Sequence, residues 1–110
     1  MKLPHGEQAV VDVVKLTDYC LDPDHPRGKH KARVFQAACG LTVEHAEWLR
    51  QQLLDAAEQA DAFPADSLGF GARYVIELMV QGPSGSARVR SAWIIRQNEE
   101  FPRFVSAYVL

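Results

Sequence analysis

The C-terminal part of the chain strongly limits the fold, because it alternates between apolar and polar residues in three successive stretches. Alternation with a period of two is typical of β-strands that bury one face, and it covers residues 73–80, 87–97 and 102–109. Short connections over residues 82–86 and 97–100 separate these stretches. Strands that follow each other through such turns pair antiparallel, so the sequence predicts a three-stranded meander.

Two segments before the meander have the spacing of amphipathic helices, with apolar residues every three or four positions. The first covers residues 29–39 and is expected to end at Gly40. The second is expected to run from an N-cap at Thr42 to about residue 60. Each predicted helix has an apolar side that must be buried.

The first 28 residues have a less regular pattern. Residues 9–16 are rich in β-branched side chains, which predicts a strand. Thr17 is placed to cap one helical turn that runs through residue 21. Two prolines, two acids and a glycine over residues 22–28 predict a loop.

The predicted element order is therefore βααβββ. Since the helices must bury their apolar sides, they are expected to cover one face of the sheet, and the N-terminal strand can join as a fourth strand. We predict an α+β fold with two helices packed on one face of a mainly antiparallel four-stranded sheet. The length of 110 residues suits a single domain over residues 1–110.

No apolar run approaches the ~20 residues that cross a bilayer. The N-terminus has no apolar core of a signal peptide, so we expect a cytoplasmic protein without a membrane partner. With Cys20 and Cys39 as its two cysteines, the chain is expected to hold free thiols.

Charge is distributed unevenly along the chain. The net charge of −2 and the pI near 6.0 argue against a protein that coats nucleic acid by bulk electrostatics. However, residues 25–41 carry four cations and no acid, which gives +4, whereas residues 42–66 carry one arginine and six acids, which gives −5. A local basic surface is therefore compatible with the acidic total.

Two groups of residues resemble the opening and closing motifs of an uncharacterised bacterial domain family of similar length. The opening group is residues 15–19 (Lys-Leu-Thr-Asp-Tyr), Leu21, residues 23–28 (Pro-Asp-His-Pro-Arg-Gly) and residues 31–32 (Lys-Ala). The closing group is residues 92–94 (Ala-Trp-Ile) and residues 102–108 (Pro-Arg-Phe-Val-Ser-Ala-Tyr). The chain departs from the family pattern at four positions: Ser91 and Ser106 replace threonine, Phe104 replaces leucine and Val109 replaces proline.

Members of that family occur alone and as C-terminal parts of secreted polymorphic toxins. The element order is also similar to that of ribonuclease toxins of the RelE kind and, more loosely, of the barnase, EndoU and colicin nuclease group. The resemblance implies a small toxin-like domain that cleaves RNA, free or on the ribosome. It also implies a small antitoxin or immunity protein as partner.

RNA cleavage without a metal needs a proton acceptor, a proton donor and cations that stabilise the phosphate. Candidates for these catalytic roles are His25, His30, Lys31, Arg103 and Tyr108. Lys31 is expected to face the sheet and Arg103 to hold a phosphate with its planar donors. The alternative for the cations near Lys31 is a solvated basic helix end, and the alternative for Arg103 is a surface arginine paired with Glu99 or Glu100.

Further cations are candidates for phosphate binding. They are Arg27 and Lys29 near the first helix, and Arg88, Arg90 and Arg96 on one face of the second strand of the meander. If the helices leave that face open, these arginines form a basic platform with Arg103, over a floor of Ala92, Val105 and Ala107. Strict alternation puts Ser91, Ser106 and Tyr108 on the other face, and neither serine is assigned as a nucleophile. A core position is the alternative for Tyr108.

A mixed group of possible metal ligands lies in or near the loop: Cys20, Asp22, Asp24, His25 and His30. Its spacing matches no known metal motif, so no metal or other cofactor is expected. The leading functional prediction is a ribonuclease toxin. Its alternatives are a non-catalytic module that binds a protein through the acidic helix and Trp48, and an enzyme for a small anionic substrate.

Overall fold

The computed structural model describes residues 1–66 and 69–110, and it confirms the predicted α+β class. Two helices precede a four-stranded antiparallel sheet in which each strand pairs with the next along the chain. The elements are α1 (Lys29–Cys39), α2 (Ala46–Gln59), β1 (Phe63–Ala65), β2 (Gly71–Gly82), β3 (Gly85–Arg96) and β4 (Arg103–Val109).

Both helices begin and end near the predicted positions. The α1 helix ends where Gly40 adopts a left-handed conformation (φ 77°) that favours glycine. A short 3₁₀ turn over Val43–His45 leads into α2. The predicted cap at Thr42 is confirmed, since its backbone N–H donates to His45 Nδ1 and its hydroxyl lies 3.2 Å from the same nitrogen.

The helices cover one face of the sheet and leave the other open. The buried residues of α1 are Ala32, Phe35 and Cys39, and those of α2 are Ala46, Leu49, Leu53, Ala56 and Ala57. They pack against Ile76, Val80, Val89, Trp93 and Phe104 of the sheet in one apolar cluster. The open face carries the alternate residues of β2 and β3, as the period-two pattern predicts.

The prediction of an N-terminal strand over residues 9–16 is wrong. Within residues 9–16, Val10 makes a single bridge to Arg103, and the chain then turns at Asp12. Its carboxylate accepts a hydrogen bond from the Val14 N–H at 3.1 Å and its carbonyl accepts one from the Lys15 N–H at 3.0 Å. An aspartate that bonds its own following backbone stops a strand, whatever the β-propensity of the neighbouring valines.

A π-helical turn, Leu16–Cys20, follows. The predicted helical turn in this region is thus confirmed, but Thr17 does not cap it, because the turn begins before that residue. The fourth strand of the sheet is instead β1, which pairs with β2 through Phe63↔Val75 and Ala65↔Arg73. Pro64 lies in this strand, at the sheet edge where a missing N–H is tolerated.

A β-bulge in β4 changes which residues face the helices. Trp93 pairs with Phe104, but Ala92 pairs with Ser106, so Val105 is an extra residue. The alternation therefore shifts phase after Phe104: Ala107 is buried and Tyr108 is 38% exposed. The expectation that Tyr108 lies on the helix face, and the expectation that Ala107 lies on the open face, are both wrong for this reason.

Candidate functional site

Lys31 joins the beginning and the end of the chain. It lies in the third position of α1, four residues before the buried Phe35. Its Nζ donates to the Tyr19 hydroxyl and to the Ser106 Oγ, each at 2.9 Å. The same Nζ lies 4.6 Å from the centre of the Tyr19 ring. Lys31, Tyr19 and Ser106, which we call the Lys31 cluster, thus come from three separate elements.

Tyr19 is held in place by its turn and by a close backbone contact. Leu16 and Cys20 are fully buried and fix the π-helical turn against the core. Gly28, just before α1, packs on the Tyr19 carbonyl so closely that a Cβ there would lie 2.2 Å from that oxygen. A glycine at this position therefore allows the turn and the start of α1 to approach each other.

His25 organises the loop between them. Its Nδ1 accepts hydrogen bonds from the backbone N–H groups of Arg27 and Gly28, at 3.0 and 2.9 Å. Because Nδ1 accepts, the ring proton of the neutral imidazole lies on Nε2. The ring also packs edge-on against Tyr19, with 4.9 Å between ring centres. His25 thus connects the loop before α1 to Tyr19 of the Lys31 cluster.

Cys20 lies below the cluster. Its Sγ is 4.0 Å from the Ser106 Oγ and is bonded by the Ala107 backbone N–H. Burial raises the pKa of this thiol, although the Ala107 N–H, Ser106, Lys31 and Lys15 act in the opposite direction. A buried thiol that stays protonated packs as an apolar group.

The charge of Lys31 has no acid beside it. An ammonium group has three N–H donors, and two of them bind neutral hydroxyls. None of the ion pairs among the described residues includes Lys31. The side chain is half-buried. The cluster therefore presents a positive charge with a spare donor at the surface, which is the arrangement that a phosphate oxygen needs.

The open face of the sheet carries the other predicted cations, but pairs them with acids. The Glu77 carboxylate forms ion pairs with Arg90 at 2.8 Å and with Arg88 at 3.3 Å. Arg90 also donates to the Tyr108 hydroxyl at 3.2 Å. The hydrogen bond from Arg90, followed by the charge of Arg88, holds the pKa of Glu77 below its ordinary value. One carboxylate thus compensates two arginines.

The same arrangement recurs at the other end of this face. Arg103 donates to both oxygens of Glu99, at 2.8 and 2.7 Å, and Arg96 lies 3.9 Å from the same carboxylate. The Arg103 hydrogen bond lowers the pKa of Glu99. Arg103 also lies over the Phe101 ring at 4.9 Å. A cleft of about 120 Å³ beside Arg96 and Arg103 includes Lys15.

Lys31 and Arg103, expected to form one centre, belong to separate networks of contacts in the part of the chain that the structure describes. Lys15 links their surroundings, since it lines the Arg103 cleft and acts electrostatically on Cys20 together with Lys31. His30 and Arg27 are exposed and Lys29 is half-buried, all close to the Lys31 end of α1. Across residues 1–66 and 69–110, no group of three metal-ligating side chains converges.

Sequence reasoning missed the hydrogen bonds of Tyr19 and Ser106 to Lys31, and it missed Glu77. Tyr19 and Ser106 both lie in the motifs that carried the family resemblance, which was a usable signal. Glu77 is opposite Arg90 across β2 and β3, a relation that depends on strand register. Cross-strand neighbours of opposite charge attract, so this pairing could be found once the register was known.

Comparison with known proteins assigns the family. The model of the family described as domain of unknown function (DUF6883) matches residues 2–110, so the chain belongs to that family. No curated protein matches the sequence significantly. Among solved structures, the chain is similar to one from the complex titled contact-dependent growth inhibition toxin - immunity protein complex from Klebsiella pneumoniae 342. The identity is 16%, the TM-score is 0.70, and the match covers 92% of this chain and 99% of that chain.

The structural similarity shows a shared fold. No helix within the described residues is long and apolar enough to cross a membrane.

Proposed function

We propose that this DUF6883 domain is a toxin-type endoribonuclease that cleaves RNA without a metal ion, with Lys31 as its central cation. The observation that carries the proposal is the Lys31 ammonium group held by two neutral hydroxyls, with one N–H donor left. The fold shared with a chain of a toxin–immunity complex supports a role as a toxin or as the partner of one. A small antitoxin or immunity protein is then the partner that covers the basic surface.

RNA can be cleaved at its own 2′-hydroxyl. The 2′-oxygen forms a bond to the adjacent phosphorus as its proton leaves, and the bond from phosphorus to the 5′-oxygen breaks as that oxygen gains a proton. The spare N–H of Lys31 would bind a non-bridging phosphate oxygen and stabilise the charge that develops there. The Tyr19 and Ser106 hydroxyls fix the direction of the ammonium group.

His30 is the residue that we assign to proton transfer. It precedes Lys31 in the first turn of α1, it is exposed, and an imidazole is well suited to accept and return a proton. Arg27 and Lys29 would contact neighbouring phosphates from the same end of α1. Each such contact should make RNA binding weaker as salt rises.

The test is direct. The purified protein is incubated with total cellular RNA and with a translation extract, and the same protein is expressed in bacteria with and without the product of its neighbouring gene. We expect RNA fragments with 2′,3′-cyclic phosphate ends, and growth arrest that the neighbouring gene relieves. Intact RNA in both reactions, together with normal growth, would contradict the proposal.

A second candidate function is a non-catalytic module that binds a protein through α2. Trp48 is 47% exposed on this helix; Glu47 immediately precedes it, and Glu44 lies four residues before it. An exposed tryptophan among acids suits a basic protein surface. If this function is the correct one, Trp48→Ala should abolish binding of the neighbouring gene's product, while Lys31→Ala should change neither binding nor growth.

A further inference from the structure

The open face of the sheet carries a trough that the Lys31 cluster does not use. Its floor is a row of small apolar side chains across three strands: Val75 of β2, Ala92 of β3 and Val105 of β4. Val75 and Ala92 are direct partners in the sheet. Neighbouring strands lie about 4.8 Å apart, so the floor is roughly 10 Å wide. The cavity above it has a volume of about 330 Å³.

Charged rows border this floor. On one side lies the row of Glu77, Arg90 and Tyr108, which are cross-strand neighbours. On the other side lie Arg73 and Arg103, both paired with Ile94. A flat apolar floor bordered by polar and charged side chains suits the planar base of a nucleotide.

The rim of the trough has one acceptor and one donor side chain that lack a side-chain partner among the described residues. Asp66 and Arg73 both line it, and neither side chain makes an ion pair or a side-chain hydrogen bond within residues 1–66 and 69–110. The Asp66 carboxylate accepts hydrogen bonds and the Arg73 guanidinium donates them. Guanine is the base that presents two adjacent N–H donor groups beside a carbonyl acceptor on its pairing edge.

The trough and the Lys31 cluster use consecutive residues of β4. Its floor ends at Val105, and the next residue is Ser106, whose Oγ accepts from Lys31. Across the bulge, Ser106 pairs with Ala92 of the floor. A nucleotide in the trough would therefore have its phosphate near the edge of the sheet where Lys31 lies.

We propose that this trough binds one unpaired guanine of an RNA strand, with the base over Val75, Ala92 and Val105 and its pairing edge read by Asp66 and Arg73. The inference rests on the proposed function and names the substrate class for the same site: single-stranded RNA with a guanosine next to the cleaved phosphate.

The experiment measures binding separately from cleavage. The probes are uridine hexamers with one central guanosine, adenosine, cytidine or uridine, prepared as cleavable RNA and as non-cleavable 2′-O-methyl RNA. Fluorescence anisotropy gives Kd for the non-cleavable set, and initial rates give kcat/KM for the cleavable set. We expect about tenfold tighter binding of the guanosine hexamer, since one well-placed bidentate contact discriminates at this level.

Variants at the rim identify the contacts. Asp66→Asn should reduce the guanosine preference to within twofold, and Arg73→Met should weaken binding of the guanosine hexamer about tenfold. Glu58→Gln and Arg33→Met are matched controls, because both residues are exposed and lie on the helices; they should leave the preference unchanged. Equal Kd values for the four hexamers, or an unchanged preference in Asp66→Asn, would overturn the inference.

Failure of the trough and failure of the proposed function give different results. RNA cleavage without a base preference would support the ribonuclease function and contradict the guanine site. A guanosine preference in binding without cleavage by the wild-type protein would support the trough and contradict the catalytic proposal. Lys31→Ala should keep the binding preference while losing cleavage.

Discussion

The two cationic regions of the molecule differ in how their charge is balanced. On the helix side, Lys31 is bonded to the hydroxyls of Tyr19 and Ser106, and it makes no ion pair with an acid within residues 1–66 and 69–110. On the open face, Glu77 holds Arg88 and Arg90, and Glu99 holds Arg103 at short range with Arg96 nearby. The region with more cations is thus the one whose charge is more fully compensated.

This difference predicts where an anion binds most favourably. A phosphate that approaches the open face competes with carboxylates already bound to the arginines, whereas one that approaches Lys31 finds a spare donor. Substrate chemistry is therefore expected at Lys31, and the paired arginines are expected to contribute to binding. Variants in either region therefore test this division.

Substitution of Lys31 should have the largest effect on cleavage. Lys31→Ala removes the cation that stabilises the phosphate, and loss of one such group typically costs about 100–1,000-fold in rate. Single-turnover cleavage of a short RNA measures the change. Arg33→Ala is the matched control, since it removes a cation from the exposed side of the same helix. Equal losses in the two variants would show that general charge, rather than the Lys31 cluster, determines the rate.

The two serines of the sheet should separate stability from activity. Ser91 is fully buried, donates to the Ile76 carbonyl at 2.9 Å and accepts from Trp93 Nε1 at 2.9 Å. Ser91→Ala leaves these groups unpaired and should reduce the free energy of unfolding by about 1–3 kcal/mol, without changing the cleavage rate of the folded protein.

Ser106→Ala should have the opposite pattern. This substitution removes one hydrogen bond of Lys31 at a half-buried position. We therefore expect cleavage to be about tenfold slower and the free energy of unfolding to fall by about 0.5–1.5 kcal/mol. Urea unfolding and single-turnover rates measure both quantities for each variant. A larger rate loss in Ser91→Ala than in Ser106→Ala would contradict the assignment of Ser106 to the cluster.

In the wild-type protein, Glu77 and Glu99 should weaken RNA binding, because they compete with RNA for the arginines. Glu77→Gln and Glu99→Gln each release arginines, so RNA affinity at low salt should rise a few-fold, with a steeper salt dependence. Anisotropy titrations at several salt concentrations measure this. Unchanged affinity in both variants would show that these arginines do not contact RNA.

The same variants change the dependence of stability on pH. The pKa values of Glu77 and Glu99 are lowered in the folded protein by Arg90 and Arg103. Their stabilising effect is therefore present above the ordinary value of 4.5 and is lost as the pH falls through the lower folded-state value. The stability difference between the wild type and each glutamine variant should shrink in acid; a difference that grows in acid would refute this.

Tyr108→Phe should have the smallest effect. The Tyr108 hydroxyl is bonded to Arg90 on the open face, whereas Lys31 donates to the hydroxyls of Tyr19 and Ser106. Cleavage should change less than twofold. A loss of tenfold or more in single-turnover rate would indicate that cleavage takes place on the open face rather than at Lys31.

Patterns that depend on local sequence predicted much of the fold. The α1 helix and the last three strands follow from periodicity and from turn residues such as Gly40. Two features were not predicted, one because of a local turn and the other because it depends on pairing with a later strand. The valines before Lys15 turn at Asp12 instead of forming a strand, and the three-residue strand β1 exists because it pairs with β2.

The candidate site was predicted in part. Lys31 and the cations of the open face were identified from charge and motif, but the bulge at Val105 decides which β4 residues accompany which cation. A bulge depends on the register of two strands, which alternation along one strand does not contain. For the same reason the sequence did not show that Glu77 pairs with Arg88 and Arg90. The pairing of Arg103 with Glu99 is local, and the sequence had offered it as the alternative for this arginine.

The central claim is that the ammonium charge at position 31 drives cleavage, and chemical rescue tests it most directly. Lys31→Cys is alkylated with 2-bromoethylamine, which restores a side chain of lysine length with a terminal ammonium group. Cys20 and Cys39 are buried, and burial raises their pKa values, so they should not react in the folded protein. Mass spectrometry confirms a single modification.

We predict that unmodified Lys31→Cys is inactive in single-turnover cleavage and that the aminoethylated protein recovers at least a tenth of the wild-type rate. Alkylation of the same variant with iodoacetamide, which adds no charge, should give no recovery. Cleavage by unmodified Lys31→Cys, or a fully aminoethylated and folded protein that remains inactive, would contradict the account.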